Sequence, residues 1–129
     1  MTTSENLNTF WAELIVEELV RNGANYFCIS PGSRSTPLAS AAAANKKAKK
    51  IVCIDERSSG YHAVGYARAT GNPAVVITTS GTAVANLLPA VTEAARDHLP
   101  LIMLTADRPH ELVAAGSNQT IIQPGIFGK

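Results

Sequence analysis

The sequence predicts an α/β fold, an open parallel sheet with helices on both faces. Three observations carry this. Four short apolar runs begin near residues 26, 51, 74 and 101, a spacing of about 25 residues that matches the βαβ unit. Helical patterns fill the intervals. Each run ends in a polar segment: Ser30-Pro31-Gly32-Ser33-Arg34-Ser35-Thr36, Asp55-Glu56-Arg57, Thr78-Thr79-Ser80-Gly81-Thr82 and Thr105-Ala106-Asp107-Arg108-Pro109. In a parallel sheet with right-handed crossovers these four segments meet at one edge, the edge where open α/β sheets bind ligands.

In order, Leu7, Phe10, Trp11, Leu14, Ile15 and Leu19 recur at helical spacing, with Glu13, Glu17 and Glu18 mostly off that stripe and Gly23 as the stop. Tyr26 to Ile29 reads as a buried strand. Thr36-Pro37 suits an N-cap followed by proline in the first helical position, opening an Ala-rich helix to about Asn45. Ile51 to Ile54 is the second strand. A helix follows from about Ser58 to Thr70, its Gly60, Ala63, Gly65 and Ala67 allowing close approach to the sheet, and Gly71-Asn72-Pro73 ends it. Ala74 to Thr78 is the third strand. The next helix runs from about Ala83 to Arg96, with Pro89 kinking it or marking a boundary. Leu101 to Leu104 is the fourth strand. Glu111 to Lys129 reads as loop plus one turn of helix, and nothing in it closes a domain, as if the chain were cut there.

The 129 residues make one domain or part of one, and 46% hydrophobic content supports a real core. A net charge of +1 supplies no field to recruit nucleic acid or an anionic membrane. The cluster Lys46-Lys47-Ala48-Lys49-Lys50 reads as a solvated turn. Cys28 and Cys53 lie inside apolar runs and read as two buried thiols of a reduced, cytoplasmic protein, with a disulfide between neighbouring strands as the alternative. No apolar run approaches the roughly 20 residues of a membrane span, and Met1 to Asn6 lacks the features of a secretory leader.

Glu56, just past a buried run, is a candidate for proton exchange. The plainer reading is a helix-N-terminal glutamate favoured by the macrodipole, or a partner of Arg57 or Arg68. Ser33 and Arg34 follow a Pro-Gly turn, and Arg34 and Arg108 offer planar forks for carboxylate or phosphate. The alternative for Arg108 is a structural ion pair with Asp107. Thr79-Ser80-Gly81-Thr82 opens a helix whose amides are suited to an anion. Neither common nucleotide-binding glycine motif is present. His62, His98 and His110 are scattered, without metal-ligand spacing; His98 reads as a surface loop residue, and an approach of His62 to the Glu56 site is the lesser of its two readings.

The segments Ser30-Pro31-Gly32-Ser33-Arg34-Ser35-Thr36-Pro37-Leu38, Asp55-Glu56-Arg57, Thr78 to Leu87, Leu104 to Pro109 and Asn118-Gln119 together resemble one family. It is the thiamine-diphosphate-dependent 2-succinyl-5-enolpyruvyl-6-hydroxy-3-cyclohexene-1-carboxylate (SEPHCHC) synthases of menaquinone and phylloquinone biosynthesis, the MenD family. The resemblance covers essentially the whole chain. It implies an N-terminal pyrimidine-binding (PYR) domain, incomplete at its C-terminus. The residue matching Glu56 would hydrogen-bond N1′ of the cofactor's aminopyrimidine and so promote loss of the thiazolium C2 proton. The family then decarboxylates 2-oxoglutarate and adds the succinyl unit to isochorismate in a conjugate fashion. Ser80, Gly81 and Thr82 match cofactor contacts. Ser33, Arg34, Arg108, Asn118 and Gln119 match contacts to substrates and intermediates, both substrates being dianions. Mg²⁺ or Mn²⁺ would be held by a diphosphate-binding (PP) domain that this chain does not include, as would the far half of a site shared between subunits of a homodimer or homotetramer. The implied location is cytoplasmic, or plastid in a photosynthetic eukaryote. Departures from the family pattern are Ser58-Ser59-Gly60-Tyr61-His62, where many members carry Gly-Leu-Gly-Phe, and His110 in place of a common proline. The alternatives are another thiamine diphosphate carboligase or decarboxylase of the acetolactate synthase kind, and a non-catalytic binding module of the same fold. Pro-Gly-Ser-Arg-Ser and Ala-Asp-Arg-Pro argue against the first.

Overall fold

The computed structural model of the protein describes residues 6–128. Met1 to Glu5, most of the stretch read for a leader, lie outside the described residues. Helix α1 spans Leu7–Arg21 and opens on Asn6, whose Oδ1 accepts the Thr9 amide at 2.9 Å. Such a cap satisfies one of the donors a helix start leaves unpaired. The stripe that marks this helix in the sequence is not its buried face. Leu7 is 68% exposed and Trp11 51%, and Phe10, Leu14 and Ile15 are exposed with them. The buried face is Ala12 and Val16, packed in one cluster with Ala41 and Ala42. Small side chains on both helices permit the close approach, and of the stripe's bulky residues Leu19 alone packs, partly buried, against that cluster.

Strand β1 is Tyr26–Ile29. A 3-10 turn, Ser33–Ser35, leads into α2, Thr36–Ala44. That turn moves the helix start. Ser35, not Thr36, takes the cap position, Pro37 becomes the second helical residue, and the Thr36 hydroxyl turns back to donate to the Ser33 carbonyl at 2.9 Å. Asn45 Nδ2 donates to Glu17 Oε2 at 3.0 Å, tying the end of α2 to α1.

Strand β2 is Lys49–Val52, two residues earlier than Ile51–Ile54, and it is an edge strand rather than a buried one. The supposed basic turn therefore belongs partly to the sheet. Lys49 and Lys50 open the strand, where lysine discourages pairing with another chain, and Lys50 Nζ donates to the Ala43 and Asn45 carbonyls at the end of α2. Val52 and Ile54 are exposed, at 66% and 96%.

Helix α3 is Glu56–Thr70, β3 is Ala74–Thr78, and β4 is Leu101–Thr105. Helix α3 stops at Gly71, whose φ of +71° is the left-handed C-terminal conformation that suits glycine. Between β3 and β4 the single expected helix is two, α4 (Thr82–Ala85) and α5 (Leu88–Arg96). Pro89 marks a boundary: it has no N–H for the carbonyl of Ala85, so the ladder breaks there. Arg68 Nη2 bonds both Glu93 and Asp97, clamping α3 to α5. The single-turn helix α6, His110–Val113, follows β4.

The sheet is parallel throughout, in the order β2-β1-β3-β4. Side chains alternate across it. Phe27, Ile29, Val75 and Ile77 share a cluster with α1 and α2, while Cys28, Val76, Ala63 and Leu87 share one with α3 and α5. The connections leaving β1 and β3 therefore depart on opposite faces. That is the switch point at which a parallel sheet opens a crevice beyond its strand ends. Ser30 N–H on the Ile77 carbonyl and Ala106 N–H on the Thr78 carbonyl extend the ladder past the strands and bring the loops to that edge.

Cys28 is buried, Cys53 is half-buried rather than buried, and neither is in a disulfide. Burial first, and Cys53 nearby second, push the Cys28 thiol up to about 12.

Candidate functional site

At the switch point the backbone of Gly32 lies directly on the side chain of Thr79. A Cβ at Gly32 would fall 2.4 Å from Thr79 Cβ. This contact presses the loop after β1 onto the loop after β3, and Arg34 emerges from it half-buried.

Arg34 Nη1 donates to Gln119 Oε1 at 2.9 Å and Nη2 to the Asn118 carbonyl at 3.2 Å. Arg108, from the loop after β4, donates to the same Asn118 carbonyl at 3.1 Å. The alternative reading, an ion pair of Arg108 with Asp107, is not what forms: Asp107 Oδ1 accepts the backbone amide of Arg108 instead. Both arginines keep a buried Nε with no partner. Two further hydroxyls at the crevice, Ser30 Oγ and Thr79 Oγ1, are also buried and unpartnered. A cavity of about 560 Å³ adjoins Arg108, lined also by Asp107, His110, Val113, Ile121 and Ile122.

The segment after α6 closes onto the loop after β3. Ser80 Oγ donates to the Gln119 carbonyl at 2.9 Å. Gly81, at φ +80°, sits so close to Gln119 that a Cβ would lie 2.8 Å from its carbonyl oxygen. Gln119 itself has a φ of +58°. The Gly81 amide, read in sequence as an anion donor, is taken by Gln123 Oε1 at 2.8 Å, and Gln123 Nε2 donates to the Ala106 carbonyl at 3.0 Å. Helix α4 is a single turn, so its start carries little dipole. Gln123, 8% exposed, is thus a bridge between the loops after β3 and β4 that sequence reasoning did not single out. A glutamine among glycines carries no positional signal. Thr82 and Ser33 are exposed beside this cluster.

Glu56 occupies a different part of the edge, as the first residue of α3. Asp55 is its N-cap, accepting the Arg57 amide at 2.8 Å and binding the Arg57 guanidinium through both carboxylate oxygens. These bonds hold Asp55 down at about 2. Arg57 is thereby occupied, and Arg68 lies with Glu93 and Asp97, so Glu56 is paired with neither arginine. Its recorded side-chain partner is Asn86, whose Nδ2 donates to Glu56 Oε2 at 3.0 Å in a part-buried setting. Asn86 is the second residue whose role the sequence did not reveal. His62 does not approach Glu56. It bonds the Tyr26 hydroxyl at 2.8 Å and stacks on the Tyr26 ring, at the opposite end of β1. His98 is exposed at the end of α5, as expected.

A half-buried carboxylate with one oxygen held by a neutral amide fits the ring nitrogen of an aminopyrimidine. The described residues fit a diphosphate-bound metal poorly: no three His, Cys, Asp or Glu side chains group together among them. No helix among the described residues is long and apolar enough to cross a membrane.

Residues 11–126 match the family described as thiamine pyrophosphate enzyme, N-terminal TPP binding domain. Among curated relatives, a protein of Chlorobaculum parvum is 60% identical over 124 residues, covering 96% of this chain and 21% of the relative. One of Syntrophus aciditrophicus is 53% identical over 129 residues, 100% of this chain and 22% of the relative. One of Rubrobacter xylanophilus is 60% identical over 121 residues, 94% of this chain and 21% of the relative. Each carries the name 2-succinyl-5-enolpyruvyl-6-hydroxy-3-cyclohexene-1-carboxylate synthase, and this chain spans about a fifth of their length. The parallel sheet, the carboxylate at the start of α3 and the match across residues 11–126 together make the chain a member of the thiamine pyrophosphate enzyme family, corresponding to its N-terminal TPP binding domain.

Proposed function

We propose that this chain is the pyrimidine-binding part of a SEPHCHC synthase, a transferase that decarboxylates 2-oxoglutarate and joins the succinyl unit to isochorismate. The observation that carries the reading is Glu56: a carboxylate at the ligand-binding edge, bound by an amide and, among the described residues, by no cation. When bound, thiamine diphosphate supplies an acidic carbon and an electron sink.

The chain's own residues divide the remaining work. Glu56 holds and exchanges a proton with N1′ of the aminopyrimidine, which biases the ring toward the form able to deprotonate C2. Arg34 and Arg108 receive carboxylates of the dianionic substrates. Asn118 and Gln119 hold the two guanidiniums in place until then, and Ser33 borders them. Ser80, Gly81 and Thr82 shape the loop against which the cofactor lies. The diphosphate with its Mg²⁺ or Mn²⁺ is assigned to a separate PP domain, the working unit to a homodimer or homotetramer, and the location to the cytoplasm or a plastid. Turnover is assigned to the complete protein and not to these residues alone.

The test is product formation by the complete protein from 2-oxoglutarate and isochorismate, with thiamine diphosphate and Mg²⁺ present. Conversion of both substrates to the conjugate adduct is expected. Preference for pyruvate as donor would point instead to an acetolactate-synthase-like enzyme, and cofactor binding without turnover to a binding module.

A further inference from the structure

The contact between Glu56 and Asn86 joins two helical segments that are far apart in the chain, and the packing beneath it fixes their separation. One turn beyond Glu56 stands Gly60, and one turn beyond Asn86 stands Ala90. A Cβ at Gly60 would lie 2.7 Å from Ala90 Cβ. The absent side chain therefore sets how closely α3 approaches α5. Leu87, fully buried next to Asn86, packs on the same spot, 3.5 Å from the position of that Cβ. Asn86 lies in the break between α4 and α5, and its backbone amide is satisfied by the Thr82 carbonyl. Its side chain is therefore free to reach across to Glu56.

The chemistry of the pair is asymmetric. Asn86 Nδ2 only donates, so Glu56 Oε2 accepts and is engaged within the protein, and Oε1 is the oxygen left for the cofactor. A cation in place of Asn86 would pin the carboxylate in its charged form, whereas an amide orients it and leaves the second oxygen able to gain and lose a proton. The nearest cation in sequence, Arg57, is held by Asp55.

We propose that Asn86 is a positioning residue for Glu56: it locks the carboxylate's orientation and assigns proton exchange with the aminopyrimidine to Oε1. This rests on the reading of Glu56 as the partner of N1′. The test uses the complete protein and measures dissociation constants, by calorimetry with Mg²⁺ present, for thiamine diphosphate and for an analogue whose pyrimidine N1′ is replaced by carbon. The unmodified protein should favour the natural cofactor by about tenfold or more, the range of one well-made hydrogen bond to a charged group. Asn86→Asp and Asn86→Leu should bring that ratio close to one, as Glu56→Gln does, while affinity for the analogue stays unchanged. A preserved ratio in both Asn86 variants, or an equal loss of affinity for both ligands, would overturn the positioning role. A ratio that Glu56→Gln leaves intact would instead overturn the underlying reading of Glu56.

Discussion

Arg34 and Arg108 converge on a single acceptor, the carbonyl oxygen of Asn118, at 3.2 and 3.1 Å. Neither guanidinium is in an ion pair among the described residues. Two half-buried cations that share one neutral oxygen repel each other, and a carboxylate between them relieves the repulsion. Replacing either arginine by methionine should raise KM for a dicarboxylate substrate by about tenfold or more. Thiamine diphosphate affinity should not change. Steady-state kinetics on the complete protein check this, and an unaltered KM in both variants would remove the arginines from substrate binding.

The Gly32–Thr79 contact sets the crevice at the switch point. Gly32→Ala forces its Cβ against Thr79 Cβ and should destabilise the protein by about 1–3 kcal/mol, the usual cost of overpacking. Because the clash is with one side chain, Thr79→Gly should recover part of that loss. A double-mutant cycle by urea unfolding measures the coupling, and strictly additive effects would show that the contact is not what limits residue 32.

Burial holds the Cys28 thiol in its neutral form up to about 12, against the ordinary 9.0 of a free thiol. Two consequences are testable. Iodoacetamide at pH 8 should label Cys28 only after unfolding, as read by mass spectrometry, and native-state labelling would contradict the burial. Between pH 9 and about 12 the folded thiol keeps a proton that the unfolded one loses. The native state then binds more protons, so this group's contribution to stability is full below 9 and declines as pH rises through the window.

Asp55 has the opposite sign. Arg57 holds its carboxyl at about 2, below the ordinary 3.8 of a free aspartate. Its stabilising contribution is present above 3.8 and is lost as pH falls toward 2. Asp55→Asn keeps a capping oxygen but removes the charge. The variant should therefore lose less stability than the parent on acidification through that range, when thermal unfolding is followed against pH. Parallel pH profiles for the two proteins would contradict the assignment.

Elements with continuous apolar sequence were the most legible. Every residue of β3 is buried, and its bounds follow directly from Ala74 to Thr78. Strand β2 was misread by two residues because an edge strand need not be apolar, and its first two residues are lysines. The apolar stripe of α1 pointed to the wrong face because helix–helix contact there is made by alanine and valine. Size complementarity between helices is invisible in hydropathy alone. In the site, Arg34, Arg108, Asn118 and Gln119, which the family resemblance names as substrate contacts, are hydrogen-bonded to one another. Asn86 and Gln123 were not assigned roles, since an amide's importance comes from what folding brings opposite it. His62 stands away from Glu56 because α3 runs away from the ligand edge, and six residues on it has reached the ring of Tyr26.

Glu56 is the residue proposed to exchange a proton with the cofactor's pyrimidine. The most direct measurement is the rate of hydrogen–deuterium exchange at C2 of thiamine diphosphate bound to the complete protein, by quenched-flow NMR, in the parent and in Glu56→Gln. Positioned acid–base groups contribute about 10²–10⁴-fold to proton transfer, and the variant should slow exchange by an amount in that range. Exchange at the parent rate, with the cofactor bound, would contradict the central role given to Glu56.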